Sequence, residues 1–190
     1  MIDFSPLRNH EQTIQEFAHG FSHKNLIAET AEMVGLERAI VADATDHDVV
    51  FVPDDPEAND TFAGSDQDVK LAWTLAHVVV HATASSEESC AIALNLARGV
   101  KVEGRSRFEV PWESVTSAAQ MNARLDESLR MRIAMLEAWP GQPDLENSYT
   151  PYPRQGPINA VARVLFGLSH DASHIEQLRE IVRQAKAAAR

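Results

Sequence analysis

Apolar residues recur along this chain mostly at helical spacing, and strand signals are scarce. The one short β-like run, Asp48-Val-Val-Phe-Val-Pro-Asp, is closed at once by a proline and acids. The pattern predicts an all-α protein. One helical segment is expected over residues 6–19, breaking at Gly20, and a longer one over residues 23–44 after the cap-like Ser22. The next is expected from Ser65-Asp-Gln-Asp, where a capping hydroxyl and acids suit an N-terminus, to about Arg98 ahead of Gly99. Its apolar residues from Leu71 to Ala84 surround the helix instead of forming a stripe, which marks the most buried element. A third helix is expected over residues 112–139, with Val115, Met121, Leu125, Leu129, Ile133 and Leu136 in helical register, stopped by Pro140-Gly-Gln-Pro. The last is expected over residues 157–188, burying Val161, Leu165, Leu168, Ala172, Ile175 and Val182. Four long helices make a four-helix bundle the simplest architecture.

Two connections are too long for minimal turns. Residues 45–64 are expected to form a lid or rim. Residues 144–156 carry Tyr149, Tyr152 and Arg154 just ahead of the last helix, where they either line a substrate mouth or pack on the bundle.

Length and charge narrow the function classes. A chain of 190 residues is near the length of one domain. With 28 acidic against 17 basic residues the net charge is −11, which repels polyanions, and no stretch interleaves basic and aromatic residues, so no nucleic-acid partner is expected. The uncharged run from Leu71 to Ser86 is shorter than the ~20 apolar residues that span a bilayer, so no membrane partner is expected either. The start, Met1-Ile-Asp-Phe-Ser-Pro, has no basic region followed by an apolar core, and Cys90 is the single cysteine. A cytoplasmic protein is expected, with any metal site built from imidazole, carboxylate and water. Cys90 reads as a small core residue.

The chemistry concentrates in the histidines. His170 and His174 in Ser169-His-Asp-Ala-Ser-His-Ile-Glu-Gln stand one helical turn apart, on one face and close enough to meet one ion. His77 and His81 repeat that spacing in another helix, and either can supply a third ligand. On a helical wheel, His170 and His174 lie off the centre of the apolar stripe, which puts a site at an open flank of the bundle. Asp171 follows His170 as the acid follows the first histidine of H-E-x-x-H enzymes, where it is a general base, but that reading needs a third ligand on a later element. A solvated carboxylate or one supporting a ligand is the alternative. Gln177, on the same flank as His174, is a candidate for orienting a ligand or a bound water.

These residues resemble the DinB-like (DinB/YfiT) four-helix bundles. The likeness lies in the spacing from Trp73 to His81 and in His170-Asp-Ala-Ser-His174-Ile-Glu-Gln177, and element order agrees over residues 23–188, leaving residues 1–22 as an N-terminal extension to one bundle domain. The resemblance implies that His81, His170 and His174 hold one divalent ion, zinc or nickel first and iron or manganese next. His77 then becomes a hydrogen-bonded core histidine or a group that supports a ligand. Family members often carry an acid five residues after the helix-two histidine; here that position is Ser86, with Glu87 and Glu88 just beyond. The implied function is a metal-dependent thiol S-transferase or hydrolase acting on a small molecule, such as a low-molecular-weight thiol, in a homodimer. The rival is a non-catalytic metal- or ligand-binding bundle of the stress-response kind.

Overall fold

A computed structural model describes residues 1–60, 68–104, 107–153 and 155–189. Among them the chain is helical without a strand, and a single β-bridge joins Tyr149 to Ile158. The helices are α1 (Ser5–Arg8), α2 (Ile14–Ala18), α3 (His23–Val41), α4 (Asp46–Val50), α5 (Leu75–Ala97), α6 (Ala118–Glu137) and α7 (Ala160–Ala188). No helix among the described residues is long and apolar enough to cross a membrane.

Local chemistry explains where these elements depart from expectation. The segment expected over residues 6–19 is two helices, because His10 takes a left-handed φ of 57° and Thr13 with Glu16 opens α2 as a capping box. The β-like run at residues 48–54 instead begins in α4, where Thr45 and Asp48 form another capping box and Val49 turns into the core. The second long helix starts later than expected. Ser65 lies outside the described residues, Asp68–Lys70 is a single 3-10 turn, and the cap is Thr74, whose hydroxyl accepts from the His77 N–H at 3.2 Å. Trp73 therefore precedes the helix. Likewise Trp112–Ser114 is a 3-10 turn, and α6 opens at a Ser117–Gln120 capping box. Asn159, not Pro157, sets the start of α7, its side chain accepting from the Ala162 N–H at 3.1 Å.

The four long helices form a square bundle. Helix α7 packs on α5 and α3, and α6 packs on α5 and α3, which leaves α6 diagonal to α7. Helices α5 and α7 approach closely at Gly167: a Cβ there would stand 2.7 Å from the Ser89 Cβ of α5. One apolar cluster takes in Leu26, Leu96, Leu136 and Leu165, with α1 and α2 packed against it. The other takes in Val41, Leu75, Met121 and Ile181. Between them runs a polar layer with Glu37 of α3, Ser86 of α5, Ser128 and Arg132 of α6 and Asp171 of α7, all buried.

Candidate metal centre

Helices α5 and α7 bring three histidines together just above the Gly167 contact. His81, His170 and His174 each offer a ring nitrogen, and these atoms lie within 4.8 Å of one another. The His81 and His170 Nε2 atoms are 3.1 Å apart. His174 donates its Nδ1–H to Gln177 Oε1 at 2.8 Å, which leaves its Nε2 lone pair available. Burial pushes His170 down to about 3 and also lowers His174, so both rings are neutral at physiological pH, the form that ligates. The site fits a divalent ion: three imidazoles, one already fixed by a neighbour, converge at a partly exposed flank.

His77 is set apart. Its ring is sandwiched between Trp73, 4.3 Å away, and Trp112, 4.8 Å away and nearly parallel. Burial pushes it down to about 4. Trp73 also touches the His81 ring at 4.6 Å and the His174 ring at 5.9 Å, so one indole backs both the cluster and the stacked histidine.

Asp171 does not meet the expectation of a solvated carboxylate or a base beside the cluster. It is fully buried, with Oδ1 2.7 Å from the Ser86 hydroxyl and Oδ2 accepting from Arg132 Nη1 at 2.8 Å. The reason is periodicity: Asp171 falls in register with Leu168, Ile175 and Leu178 on the inward face, one step round from His170. Burial pushes its carboxyl up, opposed by the Arg132 guanidinium and the Ser86 hydroxyl. Glu37 shares this layer and is pushed up to about 8, by burial first and then by the Asp171 charge. The acids near the family's acidic position are also engaged: Glu87 contacts Arg124, and Glu88 lies 3.9 Å from Arg163. Cys90 is buried, which pushes its thiol up to about 12 and leaves it unreactive.

Three cavities converge on the histidines. One of about 560 Å³ reaches His81 and His170 between Ile92, Arg107, Tyr149 and Tyr152. A second of about 350 Å³ reaches His81, His174 and Gln177 beneath Asp55, Asn59 and Asp60. A third, again about 560 Å³, reaches His170 from the side of α2, past Gln12, Thr13 and Ser173. The two long connections thus supply walls over the cluster; Arg154 lies outside the described residues.

Two residues of the α5–α6 connection belong to the site with no spacing in the sequence to announce them. Arg107 Nη2 lies 3.0 Å from His81 Nδ1 and contacts Glu109, whose Oε1 is 3.8 Å from that same Nδ1. Against the effect of burial, the His81 ring and the Arg107 guanidinium hold the Glu109 carboxyl down to about 2. Arg132 was legible in principle, since Leu125, Ser128, Arg132 and Leu136 recur at helical spacing.

An all-α bundle with three convergent imidazoles on facing helices is an arrangement that could hold a metal ion. A family model described as the DinB superfamily matches residues 35–178, and the chain belongs to that superfamily. No curated protein and no solved structure matches it.

Proposed function

We propose that the protein is a metal-dependent enzyme of small-molecule transfer or hydrolysis, in which His81, His170 and His174 hold one divalent ion, zinc or nickel before iron or manganese. The carrying observation is that the three ligand nitrogens lie within 4.8 Å of one another where three cavities meet. Those cavities favour an enzyme over the non-catalytic bundle, because a structural ion needs no open approach. When bound, such an ion supplies Lewis acidity that lowers the pKa of a thiol or water, so that a nucleophile exists near neutral pH.

The chain's own side chains do the rest. Gln177 fixes the His174 ring through its Nδ1–H. Trp73 covers the cluster on the loop side and restricts water there. Tyr152, Ile92 and Phe166 offer an apolar surface to a substrate, and Arg107 a cation beside it. Asp171 is a positioning residue for α7 in this reading, without a proton-transfer role. A low-molecular-weight thiol as substrate and a homodimer rest on the family resemblance, and a cytoplasmic setting rests on the single cysteine.

The test loads the protein with zinc or nickel, removes the excess, and assays two reactions: conjugation of L-cysteine to an aryl chloride and hydrolysis of an activated ester. Turnover that requires metal and disappears in His174→Ala supports the reading. Turnover that survives complete chelation, or none with any of the four metals on a broad panel of electrophiles, contradicts it.

A further inference from the structure

His81 presents its two ring nitrogens to different surroundings. Its Nε2 faces the cluster, 3.1 Å from His170 Nε2. Its Nδ1 faces the α5–α6 connection, 3.0 Å from Arg107 Nη2 and 3.8 Å from Glu109 Oε1. An arginine nitrogen donates and never accepts, so the Arg107 contact makes Nδ1 an acceptor and leaves the proton of a neutral ring on Nε2. The result is a self-consistent chain in which Arg107 donates to His81 and His81 donates to His170. It is also the wrong tautomer for holding a metal through Nε2, whose lone pair then carries a proton. His174 shows the opposite arrangement, because its Nδ1 meets the acceptor Gln177.

The same connection contains the means of reversal. Arg107 Nη2 has two hydrogens and three acceptors in reach: His81 Nδ1, the His81 carbonyl oxygen at 3.1 Å, and Glu109 Oε2. Two hydrogens cannot serve three acceptors fully, so Arg107 can release Nδ1 and keep both hydrogens bonded. Glu109 then has Oε2 on Arg107 and Oε1 facing Nδ1. A shift of about 1 Å brings that oxygen to hydrogen-bond length.

We propose that Glu109 is the positioning residue that sets His81 in its metal-holding tautomer. On loading, the ring proton leaves Nε2 and a proton sits on Nδ1, donated to Glu109 Oε1, while Arg107 keeps its bonds to Glu109 and to the His81 carbonyl. One ring proton leaves Nε2 and one arrives at Nδ1, so no net proton is taken up. The assignment rests on the metal-site reading above. A carboxylate behind a ligating histidine raises its basicity and fixes its ring, and loss of such a partner typically weakens metal binding about 10–100-fold.

The experiment measures zinc affinity by competition with a chromophoric chelator and reads the His81 tautomer from long-range proton–nitrogen NMR correlations, with and without zinc. Glu109→Leu is expected to bind zinc about 10–100-fold more weakly than wild type. Glu109→Gln recovers most of that loss, because its amide oxygen still accepts. Arg107→Leu, which removes the competing donor, binds at least as tightly as wild type. In the NMR, His81 carries its proton on Nε2 without zinc and on Nδ1 with it. Unchanged affinity in Glu109→Leu, or an unprotonated Nδ1 in the zinc form, overturns the assignment. A wild-type protein that takes up no zinc overturns the metal reading itself, and this assignment with it.

Discussion

His170 and Asp171 are consecutive residues of α7 with opposite fates. His170 turns toward a partly exposed flank, where it meets His81 and His174 at the junction of three cavities. Asp171 turns inward and is sealed against Arg132 and Ser86, in a layer that Glu37 also enters. The Arg132 to Asp171 contact joins the diagonal pair α6 and α7, whose backbones do not otherwise approach. One polar cluster is therefore built to be reached and the other to hold the helices in register. A step of about 100° round the helix separates them.

The comparison is broken most severely by leaving a charge stranded in the inner cluster. Asp171→Ala deprives buried Arg132 of its counter-charge and is expected to destabilise the fold by about 3–5 kcal/mol in chemical denaturation. Replacing both partners, as Arg132→Met with Asp171→Leu, should restore most of that loss. Similar stability for the single and double variants would show that the inner cluster is not what ties α6 to α7.

His174→Ala probes the outer cluster and should behave in the reverse way. Metal at about 100 times its dissociation constant stabilises the wild type by about 2.7 kcal/mol, and the variant should gain none of this. Its metal-free stability should stay within about 1 kcal/mol of wild type, as expected for a partly exposed side chain away from the core. A large loss of metal-free stability would make His174 a structural residue.

Gly167 links the two clusters, since it sets how closely α7 approaches α5 one turn below His170. Gly167→Ala places a methyl group 2.7 Å from Ser89 Cβ and 2.8 Å from its hydroxyl. A cost of about 1–3 kcal/mol is expected from overpacking, with weaker metal binding because His81 and the α7 histidines are pushed apart. Wild-type metal affinity in this variant would show that the ligands adjust independently of the helix contact.

The mildest effect concerns pH. Glu37 is pushed up to about 8 in the folded protein, so the native state holds a proton there that the unfolded chain releases at an ordinary carboxyl pKa. The stabilisation is fully present below that ordinary value and is lost as pH rises toward and through 8, with a slope of at most about 1.4 kcal/mol per pH unit. Glu37→Gln, compared with wild type in metal-free form across pH 5 to 8, should flatten the decline. Identical slopes would place the Glu37 proton elsewhere.

What was readable beforehand divides along the same line. Helical spacing exposes His170 and His174, because two imidazoles a turn apart at the edge of an apolar stripe break its pattern visibly. The four long helices were readable for the same reason. The start of α5 is hidden because Ser65-Asp-Gln-Asp satisfies local capping rules, whereas Thr74 is the cap used. The inner cluster is hidden because charged side chains are rarely buried unless paired: Arg132 and Asp171 occupy core positions in register with leucines, and only the opposite charge across the bundle diagonal makes that tolerable. Arg107 and Glu109 had no periodicity to betray them, since a loop brings side chains to a site through its path and not through its spacing.

The most direct test of the central claim is the metal content of tag-free protein by elemental mass spectrometry, wild type beside His174→Ala, before and after mild chelation and reconstitution. The account predicts close to one divalent ion per wild-type chain, lost on chelation, regained on reconstitution and absent from the variant. Wild-type protein that remains metal-free after reconstitution, or a variant that retains a full complement, would contradict it.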